Sequence, residues 1–141
     1  METNQKGIDL IKKFEGKFLV SYVCPAGVWT IGYGHTETAK RDMVITEEQA
    51  EELLKQDLIT FEKSINSLNL KINENQFSAL VSFAFNSGFG NLQKSTLLKK
   101  VKANPSDVSI RDEFMKWVNA GGKKLNGLVA RRSAEADLYF S

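Results

Sequence analysis

Apolar and polar positions along the chain change period twice, and the changes mark out its elements. In residues 3–15, Ile8 and Ile11 form an apolar stripe at helical spacing with Leu10 and Phe14 beside it; Thr3 offers a capping hydroxyl and Gly16 suits the left-handed residue after a helix end. From Lys17 to Tyr33 the period becomes that of a strand. KFLVSYV and VWTIGY flank Cys24-Pro25-Ala26-Gly27, a strong turn signal, and predict a hairpin. With a three-residue loop, Pro25 to Gly27, Cys24 pairs with Val28 and Tyr22 with Thr30, so all four side chains share a face. Cys24 and Thr30 are then diagonal neighbours with Cα atoms about 7–8 Å apart. A two-residue loop puts Thr30 on the opposite face.

Beyond Gly34 the pattern is helical. Thr46-Glu47-Glu48-Gln49 is a capping box, and Ala50, Leu53, Leu54, Leu58, Phe61 and Ile65 recur at helical spacing along one long amphipathic helix that links two lobes. Asn73 and Gln76 open a second helix, FSALVSFAF, apolar nearly all round and so predicted to be the buried centre of a bundle; Asn86-Ser87-Gly88-Phe89-Gly90 breaks it. Shorter helices are predicted at Ser95 to Lys102, Asp107 to Val118 and Leu128 to Tyr139, interrupted by Asn104-Pro105 and Gly121-Gly122. The expected class is α+β, mostly α, with one small sheet.

Composition narrows the function. At 141 residues, 42% hydrophobic and 26% charged, the chain is sized for one core that needs no staple. One cysteine and one histidine, Cys24 and His35, exclude a disulfide scaffold and a structural zinc site. No apolar run approaches the roughly 18 residues of a membrane span, and the first residues alternate polar and apolar instead of forming a secretory signal. The expectation is a protein made in the cytoplasm, monomeric by default. Net charge is +2, unevenly spread: residues 1–70 hold 8 basic and 11 acidic side chains, residues 71–141 hold 11 and 6. The basic half hints at a polyanionic partner, against the alternative of solvated lysines on a soluble helical domain. Nucleic acid is disfavoured, because the basic residues are scattered with no aromatic stacking platform among them.

The candidates for chemistry gather around the hairpin. Glu15 falls in the last turn of its helix, where the negative end of the helix dipole disfavours a charged carboxylate; the alternative is a solvated helix-end glutamate. Cys24 is either a small hydrophobe or a nucleophile, and its spacing to His35 matches no protease signature. His35, in Gly32-Tyr33-Gly34-His35, reads as a structural histidine paired with a carboxylate. The glycines beside it imply a close backbone approach to a packing partner or a ligand. With no third glycine at the required spacing they form no dinucleotide site.

Glu15, eight residues, Cys24, five residues, Thr30, then Ile-Gly-Tyr-Gly-His, resembles the active-site signature of the phage-type lysozymes, glycoside hydrolase family 24, in which the second position is Asp or sometimes Cys. ALVSFAFNSGFGNLQKSTLL resembles the family's central helix and turn, and FMKWVNAGGKKLNGLVARRSAEADLY its C-terminal half. The likeness covers nearly the whole chain. It implies a single lysozyme-like domain over 1–141, with a small hairpin-bearing lobe at about 16–45 joined by the long helix to a helical lobe at about 46–141 and 3–15. It implies a muramidase that hydrolyses the β-1,4 bond between N-acetylmuramic acid and N-acetylglucosamine of peptidoglycan, without a cofactor or metal, and reaches the wall through a holin-type pore. Glu15 would be the acid, Thr30 would help hold the attacking water, and Cys24 would act as base or electrostatic partner, or, as a thiolate, attack the sugar carbon and turn inversion into retention. Thr36, Phe85, Asn86 and Thr96 would contact the sugars. Phe85 also has a core-packing reading on so apolar a helix. Arg131 and Arg132 would neutralise wall phosphates or a nearby carboxylate, or be solvated. The rival functions are a non-catalytic peptidoglycan-binding domain and a lytic transglycosylase; a residue that positions water argues against the latter.

Overall fold

The computed structural model describes residues Met1–Ser141. In chain order the elements are α1 (Gln5–Glu15), β1 (Phe18–Val23), β2 (Trp29–Gly32), α2 (Glu47–Asn66), α3 (Glu74–Ser87), α4 (Phe89–Lys94), α5 (Thr96–Ala103), α6 (Ile110–Phe114), β3 (Asn119–Ala120), β4 (Lys123–Lys124) and α7 (Asn126–Tyr139). The chain is mostly helical with a small antiparallel hairpin near its start, as its periodicity predicts. No helix is long and apolar enough to cross a membrane. Two compact units divide it, one of Ile11–Thr60 and one of Met1–Leu10 with Phe61–Ser141. The boundaries fall inside α1 and α2.

In the unit of Ile11–Thr60, β1 and β2 pair antiparallel with Tyr22 opposite Thr30 and Val23 opposite Trp29. The Cys24 amide donates to the Val28 carbonyl at 2.9 Å and the Gly27 amide to the Cys24 carbonyl at 2.8 Å, so the three-residue loop is the one that forms. A third extended segment, absent from the sequence expectation, runs along the other side of β1. Ser21 and Ile45 donate to Met43 and Leu19 carbonyls, and Val20 bridges Val44. It is too short to carry a period-2 signal. The capping box of α2 forms in both directions between Thr46 and Gln49, and Ala50, Leu54 and Leu58 are buried.

In the other unit, α3 is the centre. Its residues from Phe77 to Ala84 are all buried, and its capping box, Asn73 with Gln76, is complete. Gly7 of α1 is needed for close packing there, since a Cβ at that position would lie 2.7 Å from the Ser78 Cβ. The start of α1 differs from the prediction. Asn4, not Thr3, caps the helix through its Oδ1, which accepts the Gly7 amide at 3.0 Å, because Thr3 is drawn away to Glu62 by both its amide and its hydroxyl, at 2.7 and 2.6 Å. The predicted helix from Asp107 to Val118 shortens to α6. Asp107 Oδ1 accepts the amide and hydroxyl of Ser109, a side-chain turn that competes with helix, and the Leu125 amide binds the Val118 carbonyl to close the β3–β4 ribbon. That ribbon turns at Gly121 and Gly122, both left-handed, where the sequence predicts only an interruption between helices.

Glu113 of α6 is buried and accepts from Lys100 at 2.8 Å and from Lys116 at 3.0 Å. The Lys100 ammonium, hydrogen-bonded to it, holds its carboxyl below the ordinary value of 4.5. A depressed folded value contributes stability that is complete above 4.5 and is lost as pH falls through the folded value. We expect Glu113→Gln to be less stable than the parent at pH 7 and to lose less melting temperature on acidification. Thermal unfolding of both proteins across pH 7 to pH 3 checks this, and parallel curves would reject it.

Candidate active site

Glu15 is the last residue of α1, and the chain leaves the helix through Gly16 in the left-handed region at φ 78°. Its carboxylate rests against the turn that follows β2. A Cβ added to Gly34 would lie 3.0 Å from Glu15 Oε1, a tight contact that would make the carboxylate shift by a few tenths of an ångström, so glycine lets it sit where it does. The turn is built for the approach. Ile31 and His35 exchange both backbone hydrogen bonds at 2.9 Å, and Gly32 and Gly34 take φ of 65° and 83°.

The same turn sends His35 inward. The ring is 3% exposed; Nδ1 lies 2.8 Å from Asp57 Oδ2 of α2, and Nε2 accepts the Thr38 backbone N–H at 3.2 Å. Since a backbone amide only donates, the ring proton belongs on Nδ1, facing Asp57. His35 is thus the structural, carboxylate-paired histidine expected. Its partner was missed, although Asp57 directly precedes the buried Leu58 on α2.

Cys24 and Thr30 are brought together on one face of the hairpin. The amides of Val28 and Ala26, and then the Thr30 hydroxyl, hydrogen-bond the sulfur and hold the Cys24 thiol below its ordinary value of 9.0. The Thr30 hydroxyl, 4% exposed with its residue, also reaches the Val28 carbonyl at 3.0 Å. Its single proton goes to one acceptor at a time.

The remaining sequence-picked residues have different settings. Thr36 is exposed just after the His35 turn, and Thr96 is exposed at the first position of α5. Phe85 is half-buried and packs edge-on against Phe61 at 5.5 Å, in keeping with its core reading. Asn86 is exposed, with Oδ1 held by Arg132. Arg131 and Arg132 are buried, not solvated, and both bind Glu135. The i,i+3 and i,i+4 spacing of that triad was the available signal. No group of three His, Cys, Asp or Glu side chains is arranged to hold a metal.

A thiol with a lowered pKa reacts with an alkylating agent at lower pH. We expect the iodoacetamide reaction of Cys24 to titrate with a midpoint below 9.0 and Thr30→Ala to move it upward. An unperturbed midpoint in the parent would contradict the hydrogen-bonded sulfur.

The family model for phage lysozyme matches residues 12–135. The endolysin of Acyrthosiphon pisum secondary endosymbiont phage 1 is 43% identical over 100% of this chain and 99% of its own. The endolysin of Bacillus phage B103 is 42% identical across the whole chain, which spans 55% of that protein. Among solved structures, an endolysin from Escherichia coli O157:H7 phage FAHEc1 aligns with a TM-score of 0.89 and 38% identity, covering 100% of this chain and 94% of that one. A family match running from Lys12 to Glu135, together with a relative this similar from end to end, makes the chain a member of the phage lysozyme family and a glycoside hydrolase.

Proposed function

We propose that the protein is a muramidase that cleaves the β-1,4 bond between N-acetylmuramic acid and N-acetylglucosamine in peptidoglycan, and that it lyses a bacterial host. The observation that carries this reading is the seating of the Glu15 carboxylate on Gly34, in the same unit as a sulfur and hydroxyl pair on the hairpin. Glycoside hydrolysis needs a proton for the leaving oxygen and a positioned nucleophile. Glu15, in its protonated form, gives its proton to the glycosidic oxygen as the bond to the anomeric carbon breaks. A water held by Thr30 attacks that carbon, and its proton passes to the Cys24 thiolate or to solvent. The product is a reducing end of inverted configuration. Thr36, Asn86 and Thr96 are proposed sugar contacts, with Phe85 contributing a ring edge beside its packing role.

Cys24 takes a supporting role in this scheme. Lowered as it is, the thiol is still a weaker permanent charge than a carboxylate at neutral pH. The protein is further proposed to be made in the cytoplasm and to reach the wall through a holin-type pore.

Reducing ends and product anomers released from purified peptidoglycan test the reading. We expect Glu15→Gln to lose about 10³-fold in kcat, within the usual span for a general acid. Thr30→Ala should lose about 10²-fold, at the low end of that span, and Cys24→Ala about tenfold, below it, as suits a supporting group, with inverted anomers throughout. Wall binding without reducing ends from the parent would favour the non-catalytic domain, and anhydro ends a transglycosylase. Expressed in cells without a pore, the protein should leave them intact until the membrane is permeabilised; spontaneous lysis would refute the pore requirement.

A further inference from the structure

Within the unit of Met1–Leu10 and Phe61–Ser141, a cavity of ≈ 320 Å³ is lined by residues that include Asn86, Ser87, Trp117, Asn119, Leu128 and Arg132. One of its walls is organised from beneath. Arg132 is 1% exposed, and its guanidinium donates in three directions: Nε to the Trp117 carbonyl at 2.9 Å, Nη1 to Glu135, and Nη2 to both Asn86 Oδ1 and Ser87 Oγ, the latter at 2.9 Å. The ring of Phe83 lies beneath the guanidinium at 4.9 Å.

A guanidinium has five donors and no acceptor. The Asn86 amide therefore faces Arg132 with its oxygen, and Nδ2 is turned away from it. That amide nitrogen makes no hydrogen bond within the protein, and Asn86 is exposed at the cavity wall. Ser87 Oγ likewise accepts from Arg132, which leaves its own proton to be donated elsewhere. The result is a pair of adjacent donors of fixed polarity. An asparagine without such a partner presents either end of its amide, whereas this one presents only N–H.

What keeps Arg132 in place is Glu135, 0% exposed, which spends one oxygen on Arg132 and the other on Arg131 and the Ser82 hydroxyl. The chain of contacts runs from a buried carboxylate through a buried arginine to an exposed amide.

We propose that Arg132 is a positioning residue for substrate binding, holding Asn86 and Ser87 as an outward donor pair for an acyl carbonyl oxygen of the glycan, the acetamido group of an N-acetylated sugar. The proposal rests on the muramidase reading. It goes beyond naming Asn86 as a contact: it assigns the direction of the hydrogen bond, the group that fixes it and the class of atom that accepts it.

Asn86→Asp is the sharpest test. A carboxylate at that position keeps its contact with Arg132, so the melting temperature should match or exceed the parent's, but the outward donor becomes an acceptor. With soluble N-acetylated glycan fragments as substrate, we expect KM to rise about tenfold, the value of one good hydrogen bond to a neutral acceptor, with the loss falling on KM rather than kcat. The rise should persist in 0.5 M salt at about the same size; a rise abolished by salt would mean charge repulsion and overturn the proposal. Arg132→Lys should raise KM in the parent and raise it no further in an Asn86→Ala/Ser87→Ala background, because its effect passes through that pair. Independent, multiplying effects would overturn it, as would an Asn86→Asp variant with the parent's KM. Should Arg132→Lys fail to fold, the Asn86→Asp comparison decides. A parent that releases no reducing ends fails the muramidase reading instead, and the same variants are then compared by calorimetric affinity for the glycan fragments, where equal affinities for parent and Asn86→Asp overturn the inference.

Discussion

The close approach of Glu15 to Gly34 organises the turn at the end of the hairpin, where the candidate site lies. A carboxylate oxygen 3.0 Å from where a Cβ would stand would have to move for any other residue, and the φ of 83° there is a second, independent reason for glycine. The turn that satisfies both does three things at once. It ends β2, so Thr30 stays in register opposite Tyr22. It provides the floor on which Glu15 rests. It also carries the chain directly into His35, whose ring is clamped by Asp57 on one side and Thr38 on the other. Gly32, on the same turn, would put a Cβ 3.5 Å from Ala50 of α2, so the floor is itself supported by a helix.

Each unit is pinned by its own buried polar network, and neither leaves a group unsatisfied. No buried side-chain nitrogen or oxygen lacks a hydrogen-bond partner. In one unit the network is the His35 and Asp57 pair; in the other it is Glu135 with Arg131, Arg132 and Ser82. Burial pushes the Glu135 carboxyl up, and Arg132 beside it pulls in the other direction. Such a network is a poor source of net stability but a strong source of geometry, because removing one member of a buried ion pair leaves a charge that costs about 3–5 kcal/mol. The directionality of these contacts matters more than their energy. An apolar core of the same volume would hold α7 against α3 equally well, yet it would not tell an amide which way to face.

Most of the fold could be read from the sequence because its strongest signals are local. The capping boxes at Thr46 and Asn73, the apolar stripe of α2 and the all-round apolar α3 each depend on residues within a few positions of one another. The loop length of the hairpin was left open by periodicity and was settled by backbone hydrogen bonds. What stayed illegible depended on partners distant in sequence. Thr3 is a plausible cap until Glu62 claims it, and the third segment along β1 is visible only through its pairing with residues more than twenty positions earlier. Of the candidate site, Glu15, Cys24 and Thr30 are legible as a spaced pattern. The reason for Gly34 was legible only as an unspecified close approach, and the burial of Arg131 and Arg132 was not, since charged side chains are ordinarily exposed.

The hairpin loop explains how a cysteine can carry charge where the lysozyme signature that the sequence resembles more often has an aspartate. A carboxylate there is ionised by its own chemistry, whereas a thiol needs help. The three-residue loop supplies it by turning the Val28 and Ala26 amides toward the sulfur, with the Thr30 hydroxyl as a third donor. The same donors restrain the thiolate. Nucleophilicity falls as a thiol's pKa falls, and lone pairs engaged by amides are not free to attack carbon. The same stabilisation makes the thiolate a weaker base as well as a weaker nucleophile, so the property the loop reinforces is its negative charge. The Thr30 hydroxyl has one proton for two acceptors, the Val28 carbonyl and the sulfur, so it supports the thiolate only when turned from the carbonyl. The loop that lowers the thiol therefore favours a charged sulfur over a strongly nucleophilic one.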